Sequence, residues 1–291
     1  MPELPEVETV RHGLQEFLPG KQVTDVTFDW PKSFPNAETD VAQFLKGATI
    51  TNVRRRAKVL LIDLSTQHTL VIHLKMTGQL VYRGNGEQFG AGHPNDSLVG
   101  KLPDKSTRVI LTFKDGSSLF FNDFRKFGWI KLFPTVEVPN IDFFKKVGPE
   151  PLSTDFTQTD FRARLKRRAN TNIKAALLDQ TVIAGVGNIY ADESLWGARI
   201  HPQTLVKNVS AQKFNKLYDE LRYVLALAIE KGGSTDRNYV NAEGKKGSYL
   251  TFARVFRREG LVCPRCGTII TKMRVAGRGT HLCPKCQKRV G

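Results

Sequence analysis

The chain reads as an α+β protein of more than one domain. An amino-terminal helix leads an all-β layered region, a helical region follows, and a small four-cysteine zinc ribbon closes the sequence. Three observations predict this: short β-rich runs fill residues 22–133, apolar residues return at helical spacing between 173 and 228, and two Cys-X-X-Cys pairs stand near the carboxyl end. The length of 291 residues suits about two domains of roughly 100 to 200 residues, enough for a sizeable core without disulfides. Apolar residues at 40% and charged residues at 25% exclude a wholly disordered or collagen-like chain.

Taken in order, Val7, Val10, Leu14 and Phe17 form one apolar stripe, with Pro5 suited to a first turn and Gly20 to a stop, so a helix is expected over about 5–18. Strands are expected at 49–55, 58–64, 69–74, 108–113 and 118–122. Lys114-Asp115-Gly116 between the last two is a hairpin signal, because Asp-Gly tolerates the positive φ of tight turns. The stretch 134–151 holds four prolines and no sustained period, which places a linker at 136–152 between a first domain at 1–135 and a second at 153–250, with the ribbon at 251–291. In the second domain Ile173, Ala176 and Leu177 mark one short helix, and Phe214, Leu217, Leu221, Val224, Leu225 and Ala228 a longer one. Between them Gly185-Val186-Gly187-Asn188 leads a helix-like run at 189–196. The polar stretch 232–248 reads as a long loop, a candidate lid, since loops of that length inside compact domains are usually functional or disordered. No internal repeat is present.

The charge is the unusual quantity. Forty-four Lys and Arg face 28 Asp and Glu, a formal net charge of +16, which points to a polyanionic partner, nucleic acid ahead of a membrane surface. No apolar run approaches the roughly 18 residues that span a bilayer, so no membrane association is expected. Glu3, Glu6 and Glu8 stand where a secretory signal would be basic, and all four cysteines are confined to 263–286. A reducing, cytoplasmic location is the expectation.

Cys263, Cys266, Cys283 and Cys286 form two knuckles with sixteen residues between them, the spacing of a four-thiolate zinc site. The other reading is a thioredoxin-type redox pair, which would need a βαβ unit that this end of the chain lacks. Four thiolates close the coordination sphere, so one structural zinc is expected, with no role in a reaction. His281 is more readily packing or solvent-facing than a ligand. Around the cysteines, ten Lys and Arg stand against Glu259 alone over 251–291, which favours phosphate contact over a merely solvated face. Further basic clusters are Arg162, Arg164, Lys166, Arg167 and Arg168, and Arg54, Arg55, Arg56 and Lys58.

Asn188 is placed to cap a helix whose amides suit phosphate, although taken alone a plain capped turn explains it better, because Gly-Val-Gly-Asn lacks the lysine of a phosphate-binding loop. Pro2, once Met1 is removed, becomes a terminal secondary amine; an α-amino group of pKa ~8 is already partly neutral, hence nucleophilic, at pH 7. By itself Pro2-Glu3-Leu4-Pro5-Glu6 also reads simply as a helix start.

These pieces occur together in one order: Pro2-Glu3-Leu4-Pro5-Glu6-Val7-Glu8-Thr9, Lys58 in its basic strand, Gly185-Val186-Gly187-Asn188-Ile189-Tyr190-Ala191-Asp192-Glu193, and the four-cysteine ribbon. In that order and approximate spacing the chain resembles bacterial formamidopyrimidine-DNA glycosylase from Pro2 to the last knuckle, and Leu4 resembles this family where the sister endonuclease VIII group usually has glycine. The resemblance implies an amino-terminal β-sandwich, a helix-two-turn-helix domain and a zinc ribbon. It also implies excision of oxidised purines (8-oxoguanine, formamidopyrimidines) and processing of abasic sites in double-stranded DNA by a monomer.

By the same resemblance Pro2 is the nucleophile, Glu3 the acid for the sugar ring oxygen, Lys58 the residue that assists elimination, and Arg278 the ribbon arginine on phosphate. Met76, Arg125 and Phe127 match the side chains inserted where a nucleotide is flipped out. By pattern alone Met76 belongs to the core, as the fourth member of the alternating face Leu70, Ile72, Leu74. Asn188, Arg168 and Arg257 join the expected DNA contacts, and Ser234 and Thr235 resemble the start of the loop over the everted base. Two positions depart from the family pattern. Lys105-Ser106-Thr107 puts a hydroxyl where a phosphate-contacting imidazole is usual, with His93 the nearest substitute in sequence. Val255-Phe256-Arg257 replaces Val-Tyr-Gly, exchanging a phenol for a guanidinium. The rival readings are the sister activity on oxidised pyrimidines and a DNA-binding zinc protein without activity.

Overall fold

The computed structural model describes residues 1–84, 86–93, 95–234 and 249–289. They form two units, one built on residues 1–145 with 231–234 and the other on 146–230 and 249–289.

The first unit opens with helix α1, Leu4–Phe17, capped by Glu3 in extended conformation and carrying Pro in its first turn. Val7, Val10 and Leu14 are fully buried, the stripe that the spacing predicts. Two antiparallel sheets follow. One has five strands in the order β1 (Val23–Phe28), β7 (Thr107–Phe113), β8 (Ser118–Asp123), β5 (Gly78–Gly84), β6 (Glu87–Gly92). The other has four, β2 (Ile50–Arg56), β3 (Val59–Leu64), β4 (His68–His73) and β9 (Trp129–Pro134). A single turn, α2 (Glu38–Asp40), runs into a π-helical turn at Val41–Leu45. Ile62, Leu70 and Ile72 from one sheet share a core with Leu80, Leu111 and Phe121 from the other, so the two sheets form a sandwich.

Four strands, β1, β5, β6 and β9, escape the sequence pattern. In β5 five consecutive residues are buried, which erases the alternation that marks a half-exposed strand, and β6 carries two glycines. Strand β3 is apolar on both faces because its outer face is covered too. Val59, Leu61 and Val71 pack there against Val138, Ile141, Phe143 and Phe144. Residues 136–145 of the stretch expected as a linker therefore fold onto the sheet, partly as α3 (Asp142–Lys146).

The second unit gathers α4 (Gln158–Lys166), α5 (Ile173–Leu178), α6 (Asn188–Gly197), α7 (Ala211–Glu230) and α8 (Tyr249–Phe252) around one core that includes Ile173, Leu177, Tyr190, Leu217 and Leu221. A hairpin of β10 (Thr271–Val275) and β11 (Arg278–Leu282) turns through Ala276 and Gly277, both at positive φ, and belongs to the ribbon. No helix among the described residues is long and apolar enough to cross a membrane.

Candidate active site and nucleic-acid interface

In the first unit the α1 amino terminus concentrates acidic groups that the fold holds in place. Glu3 and Glu6 are 4% and 7% exposed, and Glu6 Oε2 accepts the Glu3 amide at 2.8 Å, closing a capping box. The other Glu6 oxygen accepts the Ser234 amide at 2.8 Å, which ties the beginning of the stretch expected as a lid to this helix. Thr235 and residues 236–248 lie outside the described residues. Pro2 is buried, whereas Met1 is 48% exposed and open to removal.

One turn further along α1, Glu8 Oε2 accepts Arg55 Nε at 2.6 Å, and Arg55 Nη1 donates to the Ala57 carbonyl at 2.8 Å. Burial raises the Glu8 carboxyl, but the hydrogen bonds and charges of Arg55 and Arg11 more than reverse this and leave it below the ordinary carboxylate value. Ala57, at φ 54, sits in the turn that ends on Lys58, itself 5% exposed. The helix that carries Glu3 thus also fixes the backbone of Lys58. Arg54 is bidentate on Asp63 at 2.5 and 2.7 Å. The expected basic cluster is therefore not a free anion patch, because Arg54 and Arg55 are neutralised inside the unit.

His73, which the sequence pattern does not mark, lies in the field of Lys58. Burial, then the charges of Lys75 and Lys58, push its pKa down to about 3. Its Nδ1 faces the Lys75 amide at 3.1 Å, so the ring is a neutral imidazole with its proton on Nε2. His93 is lowered by burial and by the charge of the amino terminus; its amide is bound to the Gly78 carbonyl at 3.0 Å.

Met76 is not the fourth residue of a strand face. Leu70, Ile72 and Leu74 are buried as the alternation predicts, but β4 stops at His73 and Lys75 takes φ 52, which turns the chain and leaves Met76 half-buried in the β4–β5 turn. Arg125 and Phe127 lie in the β8–β9 turn, where Phe127 is 53% exposed and the Arg125 guanidinium lies 4.9 Å from its ring centroid. A single carboxylate builds this turn. Asp123, fully buried, accepts the amides of Phe127 and Gly128 on Oδ2 at 2.7 and 2.6 Å, and that of Arg125 on Oδ1 at 3.2 Å. The sequence signal for it is an Asp just before a loop, whose side chain binds the following amides. Ser106, expected on phosphate, is 3% exposed and donates to Asp104 at 2.7 Å. Its hydroxyl organises the 104–107 turn and is not presented to solvent.

In the second unit Gly187, not Asn188, is the cap of α6; Asn188 is the first helical residue and donates Nδ2 to the Gly279 carbonyl at 2.9 Å. The same carbonyl receives Lys174 Nζ at 3.3 Å. Lys174 and Asp192 form a fully buried ion pair at 2.6 Å, with Thr280 Oγ1 taking a second Lys174 proton at 2.7 Å and Asp192 Oδ2 accepting the His281 amide at 2.9 Å. The helices thereby hold β11 from inside, and Arg278, exposed one residue before Gly279, is brought to the amino end of α6. Nothing local in the sequence marks Lys174 as buried, since its partners lie 18 and 106 residues away. A groove of about 710 Å³ beside this junction is lined by Asn188, Arg257, Lys272 and Gly279, among others. Arg257 is exposed at φ 56.

Not every expected cation is available. Arg168 is held by Asp179 at 2.7 Å, Arg254 by Glu193 and Glu220 at 3.4 and 3.0 Å, and the Arg265 guanidinium stacks on Trp196 at 3.8 Å. The one-sided charge count around the ribbon therefore overstates the positive surface it offers.

The four cysteine sulfurs lie within 4.8 Å of one another, with Cys266 to Cys283 at 3.5 Å and Cys263 to Cys286 at 4.0 Å. A tetrahedral ion with metal–sulfur bonds of about 2.3 Å requires sulfurs about 3.8 Å apart, so the set fits one zinc. Metal-free, the group is electrostatically mismatched. Burial pushes Cys283 up to about 12, while hydrogen bonding by Thr268 brings Cys266 down to about 6. A divalent ion relieves this by accepting four thiolates. It supplies structure, since four thiolates close a tetrahedral sphere and the metal-binding group among the described residues holds no fifth donor.

Comparison with known proteins gives one family throughout. Residues 1–130 match the model of the formamidopyrimidine-DNA glycosylase N-terminal domain, 147–239 that of the formamidopyrimidine-DNA glycosylase H2TH domain, and 260–289 that of a zinc finger found in FPG and IleRS. The chain is 42% identical over 290 residues to formamidopyrimidine-DNA glycosylase of Streptococcus pyogenes serotype M3, covering 99% of both chains. It is 43% identical over 288 residues to that of Pediococcus pentosaceus, again covering 99% of both. Among solved structures it is similar to wild-type Lactococcus lactis Fpg (MutM) in complex with an N7-benzyl-Fapy-dG containing DNA, with a TM-score of 0.86, 35% identity, and 99% of this chain and 100% of that one covered. It is likewise similar to MutM in complex with carbocyclic 8-oxo-G containing DNA, with a TM-score of 0.86, 34% identity and the same coverage.

Proposed function

Because the chain belongs to the formamidopyrimidine-DNA glycosylase family, and is therefore a DNA glycosylase and abasic-site lyase of DNA repair, we propose that it excises oxidised purines, 8-oxoguanine and formamidopyrimidines, from duplex DNA with Pro2 as nucleophile. The substrate class is supported by full-length similarity to enzymes solved with N7-benzyl-Fapy-dG and carbocyclic 8-oxo-G containing DNA. The observation that carries the chemistry is the α1 amino terminus, where an exposed Met1 precedes a buried Pro2 and a buried, capped Glu3.

With Met1 removed, the Pro2 nitrogen has a lone pair that attacks C1′ of the damaged nucleotide. The glycosidic bond breaks and its electron pair leaves with the base, which takes up a proton as the attacking nitrogen gives up its own, while Glu3 gives a proton to the ring oxygen as the sugar opens. The product is an iminium, which only an amine nucleophile can form. It acidifies the C2′ proton, so β-elimination expels the 3′ phosphate and δ-elimination the 5′ phosphate. Lys58, held by the Glu8–Arg55–Ala57 relay, stands to assist these eliminations. Asn188 and Arg278, joined at Gly279, form the backbone-gripping pair of the second unit, with Arg257 beside them. Met76, Arg125 and Phe127 fill the gap that the flipped nucleotide leaves.

Borohydride reduction on abasic-site DNA tests the nucleophile. Wild-type protein is expected to form a covalent adduct, and protein that retains Met1, whose Pro2 nitrogen is an amide, is expected to form none. An adduct of equal yield from the Met1-blocked protein would refute Pro2. Cleavage of 8-oxoguanine and thymine glycol duplexes side by side tests the substrate, and preference for thymine glycol would overturn it.

A further inference from the structure

We propose that Thr77 is a positioning residue for duplex opening: its hydroxyl pins the turn of Met76 to the turn of Arg125 and Phe127, so that the three side chains enter DNA as one rigid piece. The inference rests on the reading that these side chains fill the gap left by the everted nucleotide. Thr77 Oγ1 donates to Asp123 Oδ1 and accepts the Arg125 amide at 3.1 Å, so one hydroxyl is bonded on both sides to the opposite turn. Thr77 directly follows Met76 in the chain, and Arg125, whose amide it holds, stacks on Phe127. Only two hydrogen bonds and one ring contact therefore separate all three.

The strands that lead into and out of the two turns are paired as well, Gly78 with Asp123 between β5 and β8 and His73 with Trp129 between β4 and β9. Asp123 accepts the Phe127 and Gly128 amides, its own amide donates to Ser106 at 2.8 Å, and its carbonyl accepts Arg108 Nε at 3.0 Å. Asp123 is thus fixed to the β7–β8 ladder without Thr77. Beyond those ladder pairs, the tip of the Met76 turn is tied to the Arg125 turn by the Thr77 hydroxyl, whose β-branched side chain has little χ1 freedom. Wedging apart a base stack requires the filling groups at their final spacing when the nucleotide leaves, because ordering the tips of the two turns at that moment would add to the barrier. Pinning them beforehand removes that ordering step.

Thr77→Val keeps shape and branching and deletes both bonds, whereas Thr77→Ser keeps the hydroxyl. The readout is the rate of 8-oxoguanine excision from duplex DNA divided by the rate of borohydride trapping on a single-stranded abasic oligonucleotide, which has no gap to fill. This ratio is expected to fall about tenfold in Thr77→Val and to stay within about twofold of wild type in Thr77→Ser. An unchanged ratio in Thr77→Val, whether both rates hold or both drop, overturns the proposal. Failure of wild-type protein to trap would sink the Pro2 assignment alone. In that event the fluorescence rise of 2-aminopurine placed opposite the lesion still reads gap filling. Its loss in Thr77→Val but not in Thr77→Ser supports the pin, and an equal rise in all three proteins overturns it.

Discussion

At the scale of single residues, burial decides what each ionisable group can do. His73 is kept neutral by burial and by two neighbouring ammonium groups, and this has a thermodynamic consequence. Between its ordinary value of 6.5 and the folded value of about 3, the unfolded chain binds a proton that the folded chain refuses. Stability therefore falls as pH drops through that window and levels off below it, at about 1.4 kcal/mol per pH unit. His73→Gln is expected to flatten the acid limb by about 3 kcal/mol between pH 7 and pH 4, read from urea melts at each pH. An acid limb parallel to that of wild type would contradict the assignment of a neutral imidazole. The opposite case is Asp123, a buried carboxylate satisfied by backbone amides and the Thr77 hydroxyl, which shapes a turn without a cation as its partner.

At the scale of elements, the turns that carry the proposed gap-filling residues are built more tightly than their polar sequences reveal. A Cβ added to Gly78 would lie 2.3 Å from the Leu74 carbonyl oxygen and 2.7 Å from its Cα, so the Met76 turn closes only over a glycine. Gly20, by contrast, adopts φ +86 with nothing within 4 Å, so an added methyl meets backbone strain alone. Gly20→Ala is expected to cost about 1–2 kcal/mol, and Gly78→Ala roughly 3 kcal/mol or more with displacement of the turn. Thermal melts rank the two stabilities, and excision from duplex DNA should fall in Gly78→Ala beyond what the melt explains. Equal melting temperatures would refute the crowding argument. Helix α1 was legible from its apolar spacing, and so was β4, which ends at His73. The end of that strand was not, because one positive φ at Lys75 changes direction without changing the hydrophobic pattern.

At the scale of the whole molecule, the sandwich and the ribbon are stabilised differently. The sandwich has a large core drawn from both sheets, whereas the ribbon's own core is Val255, Cys263, Ile270 and Cys283 with Trp196 from α6. Four such residues bury too little apolar surface to fold a segment of this size, so the metal supplies the difference, on the order of 10–16 kcal/mol for structural zinc sites. Removing zinc with a chelator is expected to release one ion per chain and to expose the amides of 260–289 to hydrogen exchange, leaving those of β3 and β4 protected. Arg278 would lose its seat, and affinity for DNA would fall with it. Retained protection over 260–289 after complete zinc loss would show that the ribbon folds without the metal.

The sequence by itself determined what depends on near neighbours along the chain: the α1 stripe, the hairpin at Asp115-Gly116, the four-thiolate set and the order of motifs that identifies the family. Each is a property of spacing over a few residues or of chelation by short knuckles, and such spacing survives in the linear text. Only the tertiary structure decided which charges are free. Arg54, Arg55, Arg168 and Arg254 are held by Asp63, Glu8, Asp179 and Glu193, and Lys174 is sealed against Asp192. It likewise decided that Ser106 faces inward and that Asp123 joins two turns. A charge or hydroxyl is satisfied by whatever segment the fold carries to within about 3 Å, and that segment can lie anywhere in the chain.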